Sequence, residues 1–144
     1  MATSVHPRTA WAAPAGREAA VAALYATGGL MLAGEAAVHI QQYVQILHAV
    51  HWIGPLFLAN AAACVAVIAA LAIPRARPAA ALAGIGVSAV ALASLVVSYG
   101  QGLFGWQEGG FRTPVELAVI TELGAVVLLA AALAGELALP RGRR

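Results

Sequence analysis

From Ile53 to Ile73 the chain runs without a single charged side chain. A bilayer's hydrocarbon core is crossed by about 20 helical residues, so this run alone is long enough to span it. Three further stretches share the character: residues 18–45, 79–104 and 114–138 are dominated by Ala, Val, Leu, Ile and Gly. Soluble domains average roughly 45–50% apolar and about 25% charged residues. Here, over 144 residues, the figures are 62% and 10%, with a mean hydropathy of +0.85. No soluble fold of this size buries that much apolar surface, and so hydrophobic a chain is not disordered. The expected fold is an all-α bundle of four transmembrane helices, with the lipid bilayer as its solvent.

The segments between the spans are short. Residues 1–17, with Pro7, Pro14, Arg8 and Arg17, read as a flexible tail, and 139–144 as a basic one. The apolar stretch after Arg17 is too long for a signal-peptide core and shows no clear cleavage site, so it reads as a retained first span. Pro74-Arg75-Ala76-Arg77-Pro78 makes a tight basic turn, and Gly109-Gly110 loosens the last loop. Thr113-Pro114-Val115-Glu116 carries a capping-box pattern and predicts the start of the fourth span there. Ala80, Gly84 and Ser88 recur every fourth residue, a small-residue stripe suited to close helix contact.

All basic residues are arginine and all acidic ones glutamate. Arg8, Arg17, Arg75, Arg77, Arg141, Arg143 and Arg144 fall on one side of the four spans, and only Arg112 on the other. The positive-inside rule then puts both termini and the 74–78 turn in the cytoplasm. Loops 46–52 and 105–113 are expected outside the plasma membrane. The net charge of +2 does not signal nucleic acid, because the arginines are scattered and not interleaved with aromatics. Cys64 stands alone in an apolar run and reads as a small buried hydrophobe.

With that orientation the polar residues fall in one leaflet. Glu35 and His39 lie in the outer part of the first span, and Asn60 and Glu122 stand at similar depth in the second and fourth. Ser98, Tyr99 and Gln101 take the outer third of the third span. A carboxylate at membrane depth costs about 2.5–3.5 kcal/mol on insertion scales, so such groups turn inward and find partners. Glu35 and His39 are spaced i, i+4 and share a helix face. His48 and His51 follow in the outer loop. Carboxylate and imidazole together suit zinc, iron, copper or manganese. Glu35, His39, His48, His51 and Glu122 are therefore the candidate metal ligands.

Three histidines on one side also allow bis-histidine haem ligation, although no covalent attachment motif is present. Tyr43, Tyr99 and Trp106 are candidate cofactor contacts, or with Trp52 an interfacial aromatic belt. Arg112 reads either as a loop pair with Glu108 or as a cation folded over the helix ends to neutralise a glutamate. No catalytic signature is present: there is no phosphate-binding glycine loop, nucleophile elbow or Cys-x-x-Cys. Two classes remain. One is a binding or redox protein holding a metal or haem, with quinone chemistry a less favoured variant. The other is an accessory or scaffold subunit, in a homo-oligomer or larger membrane complex, whose polar layer is structural.

Several strings carry a resemblance: Gly34-Glu35 through His39 to Tyr43, Ile53-Gly54-Pro55-Leu56-Phe57-Leu58, Gly102-Leu103-Phe104-Gly105-Trp106, and Glu122 in the last span. Over residues 18–137 the chain resembles small four-helix integral membrane proteins common in actinobacteria. The resemblance implies a four-span fold and a membrane, and it supplies no activity.

Overall fold

The computed structural model describes residues 12–139. They form four helices: α1 (Ala12–Gln45), α2 (Ile53–Leu71), α3 (Arg77–Gly100) and α4 (Thr113–Leu137). No strand occurs among the described residues, only an isolated bridge between Leu103 and Trp106. All four helices are long and apolar enough to cross a membrane.

Short connections force the helices up and down in turn, and the packing closes them into a ring. α1 rests on α2 and α4, α3 rests on α4 and more loosely on α2, and α1 and α3 are diagonal. The 46–52 and 101–112 connections share one end, here the loop end, and the 72–76 turn lies at the other.

Both faces of these helices are apolar, for different reasons. Leu32, Leu129, Cys64, Ala81 and Ala125 are fully buried in the core. Leu30, Val65, Val96 and Ile120 point outward and are more than half exposed. A helix apolar all round belongs in lipid, where outward leucines and valines meet acyl chains.

The small-residue stripe packs as its spacing implies. Ala80, Gly84 and Ser88 are all buried. A Cβ at Gly84 would lie 2.7 Å from Leu129 Cδ1, 3.2 Å from Val67 Cγ1 and 3.3 Å from Leu32 Cδ1. Glycine there lets side chains of three other helices converge on the α3 backbone, the close approach that substitutes for a hydrophobic driving force in lipid.

Several boundaries differ from expectation. α1 begins at Ala12, so residues 12–17 are helical and not tail; Pro14 sits in the first turn, where its missing N–H has no helical partner. The rest of that tail, 1–11, and the terminal 140–144 lie outside the described residues. α3 stops at Gly100 rather than near Phe104, because Gly102 and Gly105 both take φ +81° and turn the chain back. Leu103 and Trp106 then exchange backbone hydrogen bonds of 2.7 and 2.9 Å. The capping box does not form: Arg112 is the N-cap, in extended geometry, with no side-chain cap bond. Its carbonyl accepts from the amides of Val115 and Glu116 instead.

Candidate metal centre

Three helices deliver ionisable or polar side chains to one interior layer, and a fourth supplies a hydroxyl. Glu35, His39 and Gln42 occupy i, i+4 and i+7 of α1, one continuous face, and all three are buried. Asn60 comes from α2, Ser88 from α3 and Glu122 from α4. Glu35, Asn60, Ser88 and Glu122 each lie roughly 10–18 Å along their helices from the loop end, at about 1.5 Å per residue, with His39 and Gln42 nearer that end.

Glu35 is entirely buried, and both its oxygens are satisfied: Ser88 Oγ donates to Oε2 at 2.6 Å and Asn60 Nδ2 to Oε1 at 3.0 Å. The second amide hydrogen of Asn60 points to His39 Nε2, 2.8 Å away. Asn60 Oδ1 in turn accepts from the Cys64 thiol at 3.5 Å. His39 Nδ1 faces the Glu35 carbonyl oxygen at 3.0 Å. That carbonyl can only accept, so the network assigns the ring proton to Nδ1 and leaves a lone pair on Nε2.

Glu122 closes the group. Its Oε1 is 3.9 Å from His39 Nε2, while Oε2 is buried with no hydrogen-bond partner among the described residues. One ligand atom from each of Glu35, His39 and Glu122 lies within 4.8 Å of the others. Zinc bonds of about 2.0–2.2 Å put two ligands of one ion at most about 4.4 Å apart, so small rotamer shifts would close the group on an ion. The ring's own Nδ1–H···O=C bond holds its orientation, the arrangement metal-ligating histidines ordinarily show.

Beside this group a cavity of about 470 Å³ opens. Apolar side chains such as Phe57, Val87 and Leu95 make its wall. His39, Asn60 and Glu122 lie at its inner end, and Trp106, Glu108 and Arg112 border it at the loop end. Arg112 bonds both oxygens of Glu108, at 3.1 and 3.3 Å, and its Nη1 donates to Gln42 Oε1 at 2.7 Å. It thus folds over the end of α1, paired with the loop glutamate and not with a membrane one.

The other candidates lie elsewhere. The Leu47–Ala49 turn keeps His48 on the surface, its Nδ1 against the Tyr43 carbonyl at 3.2 Å. His51 is exposed and packs edge-on against Trp52, ring centroids 4.9 Å apart. Neither reaches the triad, because the chain leaves α1 at Gln45, well past it. Tyr43 packs against His48 and Tyr99 stacks on Phe111 at 5.9 Å. Of the three aromatic candidates only Trp106 lines the cavity.

Two side chains were not singled out in the sequence: Ser88, which donates to Glu35, and Gln42, which Arg112 holds on the loop side of the triad. Ser88 was submerged in the small-residue stripe, and Gln42 was readable as the i+7 member of the Glu35 face. No protein-family model, curated protein or solved structure matches the chain.

Proposed function

We propose that this is a multi-pass plasma-membrane protein that binds a divalent transition-metal ion within the bilayer, on Glu35, His39 and Glu122. The observation that carries the reading is the unpartnered Oε2 of Glu122, buried beside a histidine lone pair and a second carboxylate. Two carboxylates in a low dielectric need a cation or protons to neutralise them, and a divalent ion cancels both charges at once. One imidazole with two carboxylates suits zinc, iron or manganese better than soft-ligand metals. Bis-histidine haem is less well served, since His39 alone of His39, His48 and His51 faces the cavity. The arginine bias supports termini in the cytoplasm and the loop end of the cavity outside.

The test is metal analysis and calorimetric titration of the purified protein with Zn²⁺, Fe²⁺ and Mn²⁺. One ion per chain in the wild type, lost in Glu122→Gln, is the expected result. A scaffold role with a structural polar layer is favoured by one observation: the Asn60 amide already satisfies both Glu35 and His39. That role predicts no stoichiometric metal in either protein.

A further inference from the structure

The cavity is larger than an ion needs, and its opening is on the side where the bundle is loosest. Leu56 of α2 and Val90 of α3 both line it, yet they are 47% and 66% exposed. The cavity is therefore reached from between α2 and α3, on surface that faces acyl chains. A ligand arriving that way is lipid-soluble. At about 470 Å³ the space is within the roughly 300–1,000 Å³ range of small-molecule sites.

Its polar features specify more. Gln42 Nε2 is buried and donates to nothing among the described residues, although its Oε1 is held by Arg112. Gln42 is 4% exposed, lines the cavity, and stands one turn from His39 toward the loop end. Of the other two buried polar atoms without a partner among the described residues, Tyr99 Oη is away from the cavity, and Glu122 Oε2 belongs to a residue at its inner end. A buried polar atom without a partner costs about 1–3 kcal/mol; the Gln42 and Glu122 atoms both belong to residues that line the cavity but are themselves covered, so a side-chain rotation turns each toward a ligand's polar atom. The lining residues thus hold an unused donor at one position and an unused acceptor at another, with apolar side chains between.

The geometry points to a quinone-class ligand bound in this cavity, its ring among the apolar side chains of α2 and α3. One ring oxygen accepts from Gln42, and in the hydroquinone form the opposite hydroxyl donates to Glu122. The two readings share Glu122, and Gln42, which is not one of the three grouped ligand residues, is what separates them. No electron transfer is part of the proposal.

The test uses the full chain in phospholipid nanodiscs, with Trp11→Phe and Trp52→Phe so that Trp106 is the remaining tryptophan. Decylubiquinone is titrated while Trp106 fluorescence is followed, since a quinone seated beside the indole quenches it. Saturable one-to-one quenching is expected in this background. Ala91→Phe fills the cavity from α3, and Gln42→Leu removes the donor; each is expected to weaken quinone binding at least about tenfold. Both leave the triad in place, so metal stoichiometry is expected to be unchanged in both. Circular dichroism confirms that the variants remain helical, and Gln42→Leu carries the test if Ala91→Phe fails to fold. Linear, unsaturable quenching, or quenching equal in all variants, overturns the proposal: it indicates simple partition into lipid or a cavity filled by an acyl chain. A wild-type protein that binds no metal but shows saturable quinone quenching, weakened in both variants, overturns only the metal reading.

Discussion

His39 Nδ1 donates to the carbonyl oxygen of Glu35 at 3.0 Å, so the backbone of one member of the triad orients the ring of another. The consequence is an Nε2 lone pair aimed at Asn60, 2.8 Å away, and at Glu122 beyond it. Asn60→Leu separates the two readings of this layer. It removes the donor to both Glu35 and His39, so the metal-free protein is expected to lose about 1–3 kcal/mol of stability. It also frees the lone pairs an ion uses, so the metal-induced rise in Tm is expected to be larger than in the wild type. A purely structural layer gives the first effect without the second.

Glu122→Gln keeps the shape and removes the charge. Because Oε2 has no partner to lose, the metal-free variant is expected to melt within a few degrees of the wild type. Its metal-induced stabilisation is expected to vanish. In the wild type that stabilisation falls as the pH is lowered, since ligand atoms bind protons in place of the ion. Thermal melts with and without Zn²⁺ across pH 5–8 (about the range in which an imidazole ordinarily titrates) measure both effects.

Ser88→Ala isolates the support of Glu35. The hydroxyl is the sole described donor to Oε2, at 2.6 Å, and both residues are fully buried. Leaving that oxygen unsatisfied is expected to cost about 1–3 kcal/mol. Metal binding that restores part of the loss identifies Oε2 as the oxygen the ion takes; a loss unchanged by metal assigns Ser88 a structural role only.

The number and type of elements were legible because membrane spans declare themselves by composition, in runs such as Ile53–Ile73 that no soluble helix repeats four times. The convergence of Glu35, His39 and Glu122 followed from helical spacing and depth. The remainder depended on interactions that spacing does not encode. α3 ends four residues early because two glycines adopt positive φ. Arg112, not Thr113, caps α4. Ser88 looked like packing because a serine in an Ala/Gly stripe is silent about which carboxylate it faces, and Asn60 revealed its two partners only once α1 and α2 were side by side. The histidines misled for a geometric reason: His48 and His51 are near His39 in sequence, but α1 ends between them.

Topology is open to direct measurement. With seven arginines assigned to one side and Arg112 alone on the other, a C-terminal green fluorescent protein fusion is expected to be fluorescent and a C-terminal alkaline phosphatase fusion inactive. The reverse pattern would place the loop end of the cavity at the cytoplasmic side. It would leave the triad intact but change the compartment from which a metal ion reaches it.

Gly84 tests what holds the bundle together. A Cβ there meets Leu129 Cδ1 at 2.7 Å, and Leu129 is also pressed against α1, where a Cβ at Gly28 would lie 2.6 Å from its Cδ2. Leu129 is thus a knob seated between two glycines on diagonal helices. Gly84→Leu inserts a whole side chain where even a methyl requires Leu129 to move. Overpacking of this kind costs about 1–3 kcal/mol and occasionally more. The variant is expected to melt several degrees lower in detergent. Leu129→Ala opens a cavity and is expected to cost about 2–5 kcal/mol alone. The double variant Gly84→Leu/Leu129→Ala returns volume to the same place, so its loss is expected to fall short of the sum of the single losses. Additive losses would show that Gly84 and Leu129 do not share a packing site, and a wild-type melting temperature for Gly84→Leu would turn this face of α3 toward lipid.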